Sequence, residues 1–412
     1  MLAEVVSFLL RISSYHALSG TIQSLSPQPH LRSQTPRTIQ FAAIVHFPEH
    51  FLTLTNNLYS NMASLNIDPP LLNSANPWCT TLEQLQELYE SPHTGAITTR
   101  TSLLKGFPHD SAHHQFAFFN PSTHSSSTPN TDLVGDATTT GSLNTLGYSP
   151  LVLGQYLDFV GKISEALPSD PPKGRETFKP ILISVTGSVE EVAQCYQLIY
   201  TVQHNVKMPL AMEINLSCPN IPGKTPPAYN ADALREYLAA LKVAIDVGLT
   251  KSGGETQIPV GIKIPPYTYQ EQFDALISVL EESAENKMKP VYLPCPISFI
   301  TAVNTLGSSL VLSPQDVGGE SKISSSLNSA NGSGIGGLAG APLHPLALGN
   351  VRILREMLDK REALKRIMVI GTGGVEDKGG FERMRHVGAG AVGVGTALGR
   401  KGVNVFGEIM QG

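Results

Sequence analysis

The chain has 412 residues, 41% of them hydrophobic and 15% charged, with a formal net charge of −5. That length exceeds one small core and fits one large α/β barrel or two modest domains, and the ordinary apolar fraction excludes bulk disorder. The slight acidity gives no electrostatic reason to expect nucleic acid or an anionic membrane as partner.

No run reaches the ~18 consecutive apolar residues of a membrane span; the stretch 5–10 is short, and Arg11 ends it. Residues 13–37 are rich in Ser, Gln, Pro and His without periodicity, so residues 1–61 are expected to form a disordered or loosely attached N-terminal extension. Arg11, Arg32 and Arg37 would also suit a transit peptide. Met62 is the alternative natural start, with residues 62–412 forming one domain. Cys79, Cys195, Cys218 and Cys295 are widely spaced without a CxxC pair. Neither a disulfide framework nor a metal site is expected, and a soluble, reducing, cytoplasmic setting is the default.

From Met62 onward a regular alternation begins. Short apolar or β-branched runs recur at 70–73, 95–99, 181–186, 212–216, 260–264, 299–304, 367–370 and 391–394. Helical spacing appears at 81–89, where a Thr-Thr cap precedes Leu82, Leu85 and Leu88, and again at 190–200, 231–247, 270–281, 345–360 and 380–386. Strand and helix alternating about eight times predicts an α/β fold, a (β/α)8 TIM barrel. The competing doubly wound sheet would want a GxGxxG after the first strand, and none is there. Three tracts interrupt the alternation, at 121–142, 162–179 and 313–334. The first and third are read as loop insertions that either overhang the C-terminal face or form flexible decoration.

Barrel active sites gather at the C-terminal ends of the strands. The first strand ends in Asn73-Ser74-Ala75, the second in Thr99-Arg100-Thr101 and the fourth in Asn215-Leu216-Ser217-Cys218-Pro219-Asn220. The sixth ends in Val303-Asn304-Thr305, the seventh in Gly371-Thr372-Gly373-Gly374 and the eighth in Gly395-Thr396, while a loop before the third strand adds Asn144-Thr145-Leu146-Gly147. Glycine turns after the last two strands are where this fold commonly holds a phosphate. Lys263 lies in an apolar strand and must face the barrel mouth or bear a heavy burial penalty; it reads as a fixed positive charge beside a cofactor that becomes anionic. Asn144, Asn215, Asn220 and Asn304 offer paired donors and acceptors for a planar ligand with imide edges, or else satisfy turn backbone. Cys218, flanked by polar strand-end residues, can act as a base if the loop 218–225 closes over it.

The segment Glu213-Ile-Asn-Leu-Ser-Cys-Pro-Asn-Ile-Pro-Gly-Lys224 closely resembles the signature of the dihydroorotate dehydrogenases, with the central cysteine of the cytosolic class. Supporting matches are Val260-Gly-Ile-Lys-Ile-Pro-Pro-Tyr267, Ala302-Val-Asn-Thr-Leu-Gly307, Gly336-Gly-Leu-Ala-Gly340, Ile370-Gly-Thr-Gly-Gly374 and Val394-Gly-Thr-Ala-Leu398. The similarity spans residues 69–409. It implies an FMN enzyme oxidising dihydroorotate to orotate in pyrimidine biosynthesis, fumarate reoxidising the flavin in a soluble homodimer. Cys218 would take the proton from ring carbon five, and Lys263 would stabilise reduced flavin. Arg100, Asn144, Leu146, Gly147, Asn215, Asn220, Asn304 and Thr305 would surround the pyrimidine. Ala75, Thr101, Asn215, Lys263, Val303, Gly340, Gly373, Gly374, Gly395 and Thr396 would surround FMN. Arg100 stands where the family carries a lysine, and arginine presents a broader planar fork. With the insertions, it keeps a second reading open: a paralogous FMN oxidoreductase on the same barrel, acting on another pyrimidine-like or enone substrate.

Overall fold

The strands run, in chain order, β1 (Leu71–Asn73), β2 (Ile97–Thr98), β3 (Phe116–Phe119), β4 (Gly141–Asn144), β5 (Ile181–Val185), β6 (Leu210–Asn215), β7 (Val260–Ile264), β8 (Ile297–Ala302), β9 (Leu306–Ser309), β10 (Leu312–Val317), β11 (Glu320–Ser325), β12 (Gly336–Gly340), β13 (Met368–Thr372) and β14 (Ala391–Val394). Between and after them lie α1 (Leu82–Glu90), α2 (Leu153–Ala166), α3 (Val189–Gln203), α4 (Ala231–Ser252), α5 (Gln270–Ala284), α6 (His344–Asp359), α7 (Lys378–His386), α8 (Thr396–Lys401) and α9 (Asn404–Gln411). This computed structural model describes residues 63–412 apart from 133–135, 218–225, 253–256, 286 and 318–319. The expected extension 1–61 and the alternative start at Met62 therefore lie outside the described residues.

Eight strands pair in parallel in the order β1-β14-β13-β8-β7-β6-β5-β2, the cyclic order of a (β/α)8 barrel. Every strand expected from the alternating runs is present. The ring closes between β1 and β2 largely through a side chain. Asn73, with 0% exposure, accepts from Thr98 N–H at 2.9 Å and donates to Thr98 O at 2.7 Å, as a neighbouring strand would. Gly95 N–H adds a backbone bond to Leu71 O at 2.8 Å.

The lower barrel interior is apolar: Leu72, Ala96, Leu182, Ala211, Phe299, Ile370 and Ala391 pack together, joined by Leu65 and Ile67 from the segment leading into β1. Gly261 leaves room for the Phe299 ring, which would lie 2.3 Å from any Cβ placed there. Outside the barrel, the inward faces of the helices meet the opposite faces of the strands in the main core. Local signals explain the helix starts. Thr81 Oγ1 accepts from Gln84 N–H at 3.3 Å while Gln84 Oε1 accepts from Thr81 N–H at 3.1 Å, a reciprocal cap. Ser188 and Glu191 do the same for α3.

The structure departs from the sequence expectations in three places. First, residues 153–166 form α2, although residues from 162 onward read as a polar interruption. Leu153, Tyr156, Leu157, Val160 and Ile163 are its buried stripe, and Gln155 Oε1 caps it from Val152 N–H at 3.2 Å. Second, Asn144 is not in a loop; it ends β4, within a four-stranded sheet of order β3-β4-β12-β9. Third, the tract at 313–334 carries regular structure, most of the antiparallel hairpin β10–β11, whereas the described part of 121–142 is turns and loop until it runs into β4 at Gly141.

The two tracts are also tied down. Ser313 Oγ donates to His124 O at 2.7 Å, Trp78 Nε1 donates to Asp132 Oδ1 at 2.6 Å, and Arg400 donates to the carbonyls of Asp136 and Ala137 at 3.3 and 3.4 Å. The four-stranded sheet forms a wall at the C-terminal mouth of the barrel.

Candidate active site

The strand ends of the barrel and the inner face of this wall enclose a cleft of about 1010 Å³, open mouth included. That is ample for a cofactor and a small substrate side by side. From the barrel come Ala75 after β1, Arg100 and Thr101 after β2, Asn215 at the end of β6, Lys263 on β7, Val303, Asn304 and Thr305 after β8, Gly373 and Gly374 after β13, and Gly395 and Thr396 after β14. Asn144, Leu146 and Gly147 enter from β4 and its exit, and Gly340 from β12. The structure thus gathers in one cleft every expected site residue that it describes. Cys218 and Asn220 lie outside the described residues.

Beneath the lining residues Asn304, Asn215 and Thr101 runs a directed hydrogen-bond chain. Asn304 Nδ2 donates to Ser217 Oγ at 2.8 Å, and Ser217 Oγ donates to Asn215 Oδ1 at 2.7 Å. Asn215 Nδ2 donates to Thr101 Oγ1 at 3.2 Å, and Thr101 and Ser184 are 2.9 Å apart. Ser184 Oγ gives its proton to Glu213 Oε1 at 2.9 Å, so it must accept from Thr101. Thr301 Oγ1 donates to Glu213 Oε2 at 2.6 Å. A carboxylate with 2% exposure therefore anchors the chain and sets which way the Asn215 carboxamide faces. Sequence reasoning passed over Glu213, Ser184 and Thr301. The available signal was parity: Glu213 sits two residues from Asn215 on one strand, so both face the barrel interior.

Charge in the cleft is positive. Lys263 is 3% exposed and, among the described residues, makes one long contact, from Nζ to Ala75 O at 3.4 Å. Arg100 Nη2 donates to Tyr148 O at 3.4 Å, and burial draws the Arg100 guanidinium below its ordinary pKa. Among the described residues no carboxylate forms an ion pair with either cation. Lys263, buried, and Arg100, half-buried, face a cleft that no carboxylate among the described residues lines, and together they call for an anionic ligand. Cys79, beneath this region, is held as the thiol: burial pushes it up to about 12.

At the other end of the cleft three glycine segments crowd together. Gly340 has φ +80° and Gly374 φ +68°, conformations that favour glycine, and a Cβ on Gly374 would stand 2.6 Å from Gly340 O. No described residue accepts from the N–H of Gly374 or Gly395. The N–H groups of Thr396 and Ala397, the first two of α8, likewise have no acceptor among the described residues. Ser142 Oγ lies 2.8 Å from Thr396 Oγ1 and fastens the wall to this corner. Ser142 and Trp78 line the cleft as well, and neither stood out in the sequence.

Comparison with known proteins agrees with this architecture. A family model described as dihydroorotate dehydrogenase matches residues 136–412. The chain is 28% identical over 354 residues to a putative dihydroorotate dehydrogenase A (fumarate) of Streptococcus uberis, covering 85% of this chain and 90% of that one. It is 29% identical over 357 residues to the dihydroorotate dehydrogenase (fumarate) of Saccharomyces mikatae, covering 86% and 88%. With the dihydroorotate dehydrogenase A (fumarate) of Lactococcus lactis it shares 28% identity over 360 residues, covering 87% and 92%. Among solved structures, ligand-free dihydroorotate dehydrogenase from Eimeria tenella superposes with a TM-score of 0.55 over 88% of this chain and 92% of that one; at 16% identity this likeness carries the fold alone. On the extent of the family match, the chain belongs to the dihydroorotate dehydrogenase family.

Proposed function

We propose that this protein is an FMN-dependent dehydrogenase that oxidises dihydroorotate to orotate for pyrimidine biosynthesis, with fumarate as electron acceptor. The observation that carries the reading is the convergence, in one cleft, of two cations without a carboxylate partner among the described residues (Lys263 buried, Arg100 half-buried), oriented carboxamides and a glycine corner rich in backbone donors. The corner suits a phosphate: a Cβ at Gly340 would fall 2.2 Å from Thr140 O, so only bare backbone fits there. Gly340, Gly373, Gly374, Gly395 and Thr396 would hold that phosphate, and Ala75, Thr101, Val303 and Lys263 the remainder of the cofactor. When bound, FMN supplies the acceptor for the hydride that leaves ring carbon six.

The chain's own residues supply binding and proton transfer. Asn144, Asn215, Asn220 and Asn304 pair with the imide edges of the pyrimidine, bordered by Leu146, Gly147 and Thr305. Arg100 suits the substrate carboxylate, which a planar fork can engage through two bonds. Lys263, with no carboxylate partner among the described residues, offsets negative charge that develops in the cleft. Cys218 takes the proton from ring carbon five as the carbon–carbon double bond forms. Fumarate, a dicarboxylate, meets the same cations. A homodimer in the cytoplasm belongs to the same proposal, and no helix among the described residues is long and apolar enough to cross a membrane.

Anaerobic addition of dihydroorotate to the purified yellow protein should bleach the flavin absorbance, and fumarate should restore it. Bound flavin that dihydroorotate leaves oxidised would refute the substrate and favour the paralogous oxidoreductase.

A further inference from the structure

The glycine turn after β13 is held from outside the cleft by two side chains that the reaction itself does not use. His344, the first residue of α6 and 8% exposed, places Nδ1 2.7 Å from Gly373 O. Arg383, on α7, donates from Nε to His344 Nε2 at 3.2 Å. A guanidinium has donors only, so Nε2 must accept and the ring proton sits on Nδ1, donated to Gly373 O. The Gly373–Gly374 peptide is trans, since it is not one of the cis bonds of the chain. In a trans peptide the C=O and the following N–H point in opposite directions. With the Gly373 carbonyl committed to His344, the Gly374 N–H is turned away from α6 and toward the cleft that both glycines line. No described residue accepts from it. The contact is close-fitting as well: a Cβ on Gly374 would lie 2.8 Å from His344 Cβ.

We propose that His344, backed by Arg383, is a positioning residue that aims the Gly374 N–H at the cofactor phosphate and so sets the preference for phosphorylated over unphosphorylated flavin. The inference deepens the FMN reading and rests on it.

Its test is a titration of the full-length chain, freed of flavin, with FMN and separately with riboflavin, read by quenching of flavin fluorescence. His344→Leu removes the donor and should weaken FMN about tenfold while riboflavin stays unchanged, the effect of one misaimed hydrogen bond. His344→Asn, whose Nδ2 can reach the same carbonyl, should hold FMN within about twofold of the parent. Arg383→Met alters an exposed side chain and frees the ring to place its proton on Nε2. It should weaken FMN about threefold, again sparing riboflavin. An unchanged FMN Kd in His344→Leu and Arg383→Met overturns the proposal, and so does equal weakening of FMN and riboflavin. A parent protein that binds riboflavin as tightly as FMN overturns the phosphate corner itself, and the positioning role with it.

Discussion

Replacing Asn73 with Leu tests whether a side chain closes the barrel. The two residues are close in size, so the change mainly deletes the pair of bonds to Thr98, at 2.7 and 2.9 Å, in a site with 0% exposure. Thr98 N–H and C=O are then left buried without those partners, at a cost of about 1–3 kcal/mol each. Leu recovers part of this through its greater apolarity, so the net loss should be about 2–4 kcal/mol. The chain's one tryptophan, Trp78, lies just beyond β1 and reports the transition by fluorescence in urea. Because β2 leads into Arg100 and Thr101, the variant should also show a raised KM for dihydroorotate. A stability loss below about 1 kcal/mol would mean that the ring is closed by backbone pairing alone and that Asn73 is incidental.

Cys218→Ser should keep its flavin yet reduce it with dihydroorotate at least ~100-fold more slowly at neutral pH, because a hydroxyl is a far poorer base than a thiolate; stopped-flow absorbance decides, and near-parental rates would remove Cys218 from the mechanism. Glu213→Gln presents an amide N–H₂ to one of two hydroxyl donors, so Ser184 or Thr301 must turn away and the Asn215 carboxamide loses its fixed orientation. Substrate KM should rise while bound flavin persists, and an unaltered KM would show that the chain of bonds does not reach the substrate. Gly374→Ala should purify depleted of flavin, since φ is +68° and the new Cβ would meet Gly340 O at 2.6 Å; a normal ratio of flavin absorbance to protein absorbance refutes it. Burial pushes the Cys79 and Cys195 thiols up to about 12. The unfolded chain releases these protons near the ordinary thiol value, so between that value and about 12 the folded state binds more protons and stability falls as pH rises. Thermal melts should therefore drop on the alkaline side, with a shallower pH slope in Cys79→Ala; equal slopes would refute the assignment.

The barrel was legible because its signal is local and repeated: eight apolar runs, each bounded by turn residues, with capped helices between. What escaped was of two kinds. α2 has its apolar stripe in the sequence, but Gly154 and Gly161 interrupt it and a polar, Pro-rich tail follows, which masked its period. The wall of β3, β4, β9 and β12 could not be read locally, because each strand is short and the pairing that joins its halves, β4 with β12, links distant stretches of chain. At the site, residues that announce themselves by type were found: Lys263 in an apolar strand, the strand-end asparagines, the glycine turns. Glu213 and His344 act behind those residues, one through hydroxyls and one through a backbone carbonyl. Their roles exist only once the fold has brought their partners near.

The wall has a consequence for how the molecule is made. Gly141 pairs with Gly340, nearly two hundred positions later, whereas most barrel strands pair with the next one synthesised. As the polypeptide leaves the ribosome, the β3–β4 hairpin waits with an open edge until β12 emerges, and the flanking barrel staves can associate meanwhile. The compartment for the flavin is thus finished late in biogenesis, so a nascent chain stalled before residue 336 would hold much of a barrel and no place to retain its prosthetic group.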